Sequence, residues 1–264
     1  MGNGRFSVMW CAIVVFLFVG CSPASKPSPA PAPAVLAPLP EPYLIHLPGI
    51  AGPVWCDKAF VKGLSEGGVH ADMHIYDWTC EDGGIHALWA TERNHAQAKF
   101  IADKIAEKYH NDPRTPIYLT CHSGGVGVAV WALESLPADV KVQGLMMLAP
   151  AISPGYDLTR ALSHVVGHAF CFCSPNDGLV LGYGTKLFGN IDGVRGEAAG
   201  KVGFTPPANA DKGQYAKLTT QPYNADWMEK YGYGGDHMGL LGRTFARGYI
   251  APLLIGAAPT VAAQ

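Results

Sequence analysis

Charge is scarce in this chain, and neither sign dominates. Only 15% of residues are Asp, Glu, Lys or Arg, and the formal net charge is -2. That excludes a protein that grips nucleic acid through a basic face. Set against 48% hydrophobic residues, it also excludes a disordered acidic tail. Cysteine is short as well. Seven in 264 residues are too few for a disulfide-held miniprotein, and a chain of this length builds its own core. The apolar run Val8–Val19 has twelve residues, short of the roughly 20 that a spanning helix needs. Glycine (32) and proline (21) are plentiful but follow no collagen period, and no internal repeat is present.

What is there begins with an export pattern. Arg5 is the only charged side chain before the Val8–Val19 run, as in a secretory signal with a positive n-region. The run ends in Phe18-Val19-Gly20-Cys21, which resembles the bacterial lipoprotein lipobox, with Phe18 where leucine is usual. The resemblance implies a signal peptide over residues 1–20 and lipidation of Cys21 as the mature N-terminus. It also implies an exported protein of the bacterial cell envelope, held to a membrane by its lipid and facing the periplasm or the cell surface. Ser22–Pro42 carries eight prolines in twenty-one positions, an extended tether lifting a soluble domain off the lipid. The folded domain is expected over 43–258, and the mature chain has 18 basic against 21 acidic residues, a charge of -3.

Within the domain, Tyr43–Leu47 and Ala71–Trp78 are strand candidates. Glu92–His110 has a helical period, with Ala98, Ile101, Ala102, Ile105 and Tyr109 on one face. Thr115–Cys121 is a strand followed by a helix over Gly124–Leu136, and Gln143–Leu148 and Ala169–Cys173 are further strands. Strands alternating with helices predict an α/β fold with a mostly parallel sheet covered on both faces. In such a sheet, ligands bind outside the carboxyl ends of the strands.

The loops at those ends carry the chemistry. Cys121-His122-Ser123-Gly124-Gly125 lies between a strand and a helix. It resembles the nucleophile elbow G-x-S-x-G of the α/β-hydrolases, with Cys121 in place of the first glycine. The family orders its catalytic residues Ser, Asp/Glu, His. Here Asp177 follows the strand ending at Cys173, and His237 sits in the glycine-rich loop Gly234–Gly239. Leu47-Pro48-Gly49-Ile50-Ala51-Gly52 resembles the H-G-x-x-G oxyanion loop of bacterial lipases, with Pro48 where histidine is usual. The resemblance implies a catalytic triad of Ser123, Asp177 and His237, and an oxyanion hole made by the backbone N–H groups of Ile50 and Gly124. It also implies an α/β-hydrolase fold of about six strands with a reduced N-terminal part, comparable to cutinases and small lipases. The implied activity is a serine hydrolase cleaving small-molecule or lipid esters without a cofactor. An amidase, peptidase or thioesterase would use the same residues, and a non-catalytic envelope-binding lipoprotein is the rival from another class.

Other features carry less. Asp236 and Asp157 compete with Asp177 as the orienting acid, and His122 adjoins the serine at an angle that points it away. Cys171 and Cys173 share a strand face, and His164 and His168 are spaced to share a helix face, but neither pair has the partners of a metal site, so no metal is expected. Cys56 and Cys80 each follow a candidate strand at the same sheet end, where export permits a disulfide, and that pairing stays open. Trp55, Trp78 and Trp89 line an acyl pocket or pack in the core. The segment between Asp177 and His237 is expected to cover part of the site.

Overall fold

In the computed structural model, residues 1, 38–178 and 185–256 are described. The described residues from Leu39 onward form one compact unit. The signal run, Cys21 and nearly all of the proline tether lie outside the described residues. Among the described residues no helix is long and apolar enough to cross a membrane.

The elements run β1 (Tyr43–Leu47), α1 (Trp55–Glu66), β2 (Asp72–Ile75), α2 (Thr91–Asn111), β3 (Ile117–His122), α3 (Gly125–Glu134) and β4 (Val142–Leu148). They continue with α4 (Thr159–Ser163), β5 (Val165–Cys173), α5 (Thr185–Phe188), α6 (Ala199–Val202), α7 (Lys212–Tyr215), β6 (Leu218–Pro222) and α8 (Asp226–Tyr231). Arg243–Phe245, Ala246–Ile250 and Ala251–Leu254 follow one another as a single C-terminal helix, α9, with a π turn at its centre.

All strands join one six-stranded sheet in the order β2-β1-β3-β4-β5-β6, and every pair is parallel. Parallel strands need helices on both faces, and the two-residue strand period supplies two apolar faces to bury. Ile45, Leu47, Ile117, Leu119, Leu145 and Met147 join the core that holds the buried residues of α2 and α3. Leu44, Met146, Leu148, Phe170 and Phe172 join the other, with α1, α8 and α9. Helix α3 is buried from Gly125 to Leu133, as expected of a helix that is apolar all round. Helix α2 buries Asn94, Ala98, Ile101, Ala102 and Ile105 along one stripe.

Several expectations change. The second strand stops at Ile75 rather than Trp78. The Asp77 carboxylate turns the chain by accepting the N–H groups of Thr79 (2.9 Å) and Glu81 (3.1 Å). His164 and His168 share no helix face: His164 caps α4 and His168 lies on β5. Cys56 follows β1 in the first turn of α1, and both it and Cys80 are free thiols. The segment after Asp177 supplies the edge strand β6, whose polar sequence Leu-Thr-Thr-Gln-Pro shows no buried pattern. Its middle part fastens to the chain after β4, where Ile191, Ala199 and Gly200 donate to the carbonyls of Ala151, Ile152 and Pro150 at 2.8–3.0 Å.

Candidate active site

The residues singled out in the sequence converge at the carboxyl ends of β1, β3 and β5. Ser123 follows β3 directly and has φ 54°, the left-handed region that a side chain with a Cβ seldom enters. Its neighbours hold it there. The Ser123 N–H donates to Leu148 O at 3.0 Å, and Ser123 O accepts the N–H groups of Ala151 (3.1 Å) and Val126 (3.2 Å). The turn is possible because Gly125 has no side chain: a Cβ there would stand 2.3 Å from Pro48 O and 2.6 Å from Leu47 O. Cys121, in the place of the usual first glycine, is fully buried and reaches Met146 O with its Sγ at 3.3 Å. Burial pushes its thiol pKa up, so it is a small core residue without reactivity.

Ser123 Oγ lies 3.0 Å from His237 Nε2, and His237 Nδ1 lies 2.5 Å from Asp177 Oδ2. Asp177 is 3% exposed and the His237 side chain 10%, so both are shielded from water. With Nδ1–H donating to the carboxylate, Nε2 is the acceptor that faces the serine hydroxyl. The rival acids are occupied elsewhere. Asp236 Oδ1 accepts the N–H groups of Met238 (3.1 Å) and Gly239 (2.8 Å), and Asp157 caps Thr159 at 2.9 Å.

The loop after β1 runs beside the serine. A Cβ on Gly124 would lie 2.7 Å from Ile50 Cγ2, so these two residues are adjacent in space. Among the described residues, neither the Ile50 N–H nor the Gly124 N–H donates to an acceptor. Beside them is a small cleft of about 140 Å³, lined by Gly49, Ile50, Val54, Ser123, His237, Met238 and Leu241 among others. It is mostly apolar, and it includes none of the three tryptophans nor any described residue of 185–222. Trp78 is fully buried, whereas Trp55 and Trp89 are largely exposed. A larger cavity of about 270 Å³ lies toward the opposite ends of β3, β4 and β5, against Tyr118, Gly144, Gly167 and His168, and is lined by neither serine nor cysteine.

Sequence reasoning missed four supports. His122 Nε2–H donates to the backbone carbonyl of His237 at 3.0 Å, so the residue beside Ser123 holds the loop of His237. Burial, then the adjacent His237 ring, push the His122 pKa down to about 3 and keep it neutral. Asn176 Nδ2–H donates to Gly234 O at 3.3 Å, tying the loop of Asp177 to the loop of His237. Gly235, at φ +88°, lets those loops touch: a Cβ there would be 2.7 Å from Ser174 Oγ. Behind the cleft, His46 bridges Thr120 Oγ1 and Asp57 Oδ1 at 2.9 Å each, and Asp57 Oδ2 accepts the Val54 N–H at 2.8 Å. Burial works to raise the Asp57 carboxyl, but its bonds to His46 and Val54 outweigh it and hold it below the ordinary carboxylate range. Nothing in the one-dimensional pattern joins these residues, because each meets its partner only across the packed sheet or between two loops.

No family model matches the chain, and no curated protein matches it. Solved structures do. Lipase B of Aspergillus fumigatus superposes with a TM-score of 0.50 at 13% identity, over 83% of this chain and 53% of the lipase. The chain thus spans about half the length of that lipase. A cutinase-like protein from Cryptococcus sp. gives 0.41 at 13% identity, over 83% of this chain and 97% of its own. Est1E from Butyrivibrio proteoclasticus gives 0.43 at 13% identity, over 83% and 90%. Together with the six parallel strands and their flanking helices, the match to the lipase establishes the α/β-hydrolase fold. At such identities, fold is all the likeness carries.

Proposed function

We propose that the chain is a serine hydrolase that cleaves carboxylic esters through an acyl-enzyme. One observation carries the reading: an unbroken hydrogen-bonded series from Ser123 Oγ through His237 to Asp177, opening on an apolar cleft. A serine hydroxyl is a weak nucleophile near neutral pH, and this arrangement supplies its base and the carboxylate that orients the base. His237 Nε2 takes the proton as Ser123 Oγ bonds to the ester carbonyl carbon. The carbonyl oxygen becomes an oxyanion and accepts hydrogen bonds from the Ile50 and Gly124 N–H groups. Collapse breaks the bond to the alkoxy oxygen, which leaves as alcohol with the proton from His237. Water, deprotonated by His237, then attacks the acyl-enzyme, and the proton returns to Ser123 as the acid departs. Asp177 fixes the imidazole tautomer and stabilises the imidazolium.

In this reading Cys21 carries the lipid that holds the protein at an envelope membrane, and Ser22–Pro42 spaces the hydrolase from it. Loss of palmitate incorporation in Cys21→Ser is the expected result for that anchor. The substrate is a small-molecule or lipid ester, and rates on matched ester, amide and thioester compounds rank the three chemistries.

The decisive test is fluorophosphonate labelling of the full-length protein in detergent, alongside Ser123→Ala and His237→Ala. Labelling of wild type, none in Ser123→Ala, and ester turnover reduced by about 10³-fold or more in either variant is the expected pattern. A folded wild type that takes no label would leave the protein a binding lipoprotein with a hydrolase fold.

A further inference from the structure

The oxyanion loop is held from outside, and one side chain touches both of its donors' supports. Trp78 is fully buried, and its Nε1–H donates to Pro48 O at 2.7 Å. Its ring also faces the residue after the nucleophile: a Cβ built on Gly124 would stand 3.5 and 3.6 Å from Cζ2 and Cη2. Trp78 opens a turn that Asp77 clamps by accepting from the Thr79 and Glu81 N–H groups. Cys80 and Glu81 in that turn have φ of 56° and 62°. The turn brings Gly83 against Ala51 so closely that a Cβ would lie 2.8 Å from the Ala51 carbonyl carbon and oxygen. Next, the Gly84 N–H donates to Ile50 O at 2.7 Å. Gly49 O accepts the Gly52 N–H at 3.1 Å.

Three successive carbonyls, of Pro48, Gly49 and Ile50, therefore each have a fixed donor. The peptide planes on both sides of Ile50 are set before any substrate arrives, and among the described residues the Ile50 N–H has no acceptor. An oxyanion donor is most effective when it needs no reorganisation at the moment of reaction.

Resting on the hydrolase reading, we infer that Trp78 is the positioning residue of the oxyanion hole, with the Trp78–Gly84 turn as the brace that aims the Ile50 N–H at the developing charge. It touches no substrate, since it lies outside the cleft lining. Trp78→Phe keeps an aromatic ring at this position, removes the N–H donor to Pro48 O and withdraws the far edge of the indole from Gly124. The expected loss is about 10- to 100-fold in kcat with KM within about twofold, the penalty of a donor misplaced by a fraction of an ångström to an ångström. The affinity of a trifluoromethyl ketone, which Ser123 converts to a tetrahedral adduct, falls by the same factor as kcat/KM. Gly83→Ala presses on Ala51 from the other side and gives the same kcat-selective loss, and it carries the test if Trp78→Phe does not fold. An active, labelled wild type whose two variants keep kcat within twofold overturns the inference and leaves the hydrolase reading standing. So does a variant that loses ester turnover but binds the ketone as wild type does. A wild type that neither labels nor turns over ester removes the hydrolase reading, and the inference falls with it.

Discussion

The two sides of the cleft are built from different materials. On the Ser123 side the ties are backbone. Ser123 is held through its N–H to Leu148 O and through its carbonyl to Ala151 and Val126. On the His237 side the ties are side chains: His122 to His237 O, Asn176 to Gly234 O, and the Asp236 carboxylate to the N–H groups of Met238 and Gly239. A backbone tie at the end of a central strand cannot be given up without disturbing the sheet, which is why it can hold a residue at φ 54°. A side-chain tie on a loop is one replaceable hydrogen bond. The Ser123 side is thus expected to fail by steric conflict and the His237 side by graded loosening.

The contrast is broken most sharply at Gly125. A methyl group there meets Pro48 O at 2.3 Å and Leu47 O at 2.6 Å, both backbone atoms of the end of β1 and the loop after it. Gly125→Ala has to push the helix from the strand, an overpacking cost of about 1–3 kcal/mol or more. The expected outcome is a kcat lower by about 100-fold or more and a Tm lower by about 5–10 °C, read by ester turnover and calorimetry on one preparation. Retention of wild-type kcat would mean that the elbow tolerates movement and that the division between the two sides is mistaken.

A smaller effect is expected at Gly235 and a smaller one still at Asn176. At Gly235 the added Cβ meets the Ser174 hydroxyl and the Asn176 amide, both side-chain ends that can turn aside, though φ +88° adds strain. Gly235→Ala should lower kcat about 10-fold through displacement of His237. Asn176→Ala removes only its hydrogen bond to Gly234 O, a contribution of about 1 kcal/mol and so about five-fold in kcat. Equal losses in the two variants would show that the hydrogen bond, and not the close approach, sets the loop.

What was legible in the sequence follows the same division. Strands β1, β3, β4 and β5 announce themselves as apolar runs because both of their faces are buried. The elbow announces itself because a strained serine between a buried strand and a buried helix demands small neighbours, and Gly124 and Gly125 are small. Asp177 and His237 were singled out by their loop positions and by the chain order of the family the sequence resembles; Ser123 Oγ lies 3.0 Å from His237 Nε2, and His237 Nδ1 lies 2.5 Å from Asp177. The edge strand β6 was invisible. Paired on one side only and largely exposed, its residues need no apolar pattern. Helix α1 was invisible too, its apolar residues broken by Asp57, Lys58 and Lys62. His122, Asn176 and Trp78 could not be assigned their partners, since His237 O lies 115 positions away, Gly234 O 58 and Pro48 O 30.

The mildest expected effect concerns protons rather than contacts. His122 is buried beside His237, and its pKa is pushed down to about 3 from the ordinary 6.5. Between those values the unfolded chain takes up a proton that the folded chain excludes, so stability falls as pH drops below 6.5 and is unaffected above it. His164, also lowered by burial, acts in the same direction. Asp57, held below the ordinary 3.8 despite its burial, adds its loss only at still lower pH. From pH 6.5 toward 4.5 the histidines drive the decline; Glu134, raised by burial, opposes it, and Glu66 and Glu197, lowered by their bonds to Arg243 and Lys201, join it only as pH nears 4.5. His122→Gln keeps an amide N–H for His237 O and removes the titration. Its Tm should fall less steeply than that of wild type across this window, by about 2–4 °C for each kcal/mol of proton linkage removed. Above pH 6.5 the two curves should run parallel. Parallel curves at every pH would mean that the folded protein admits the proton at His122, and that the base loop tolerates a charge beneath it.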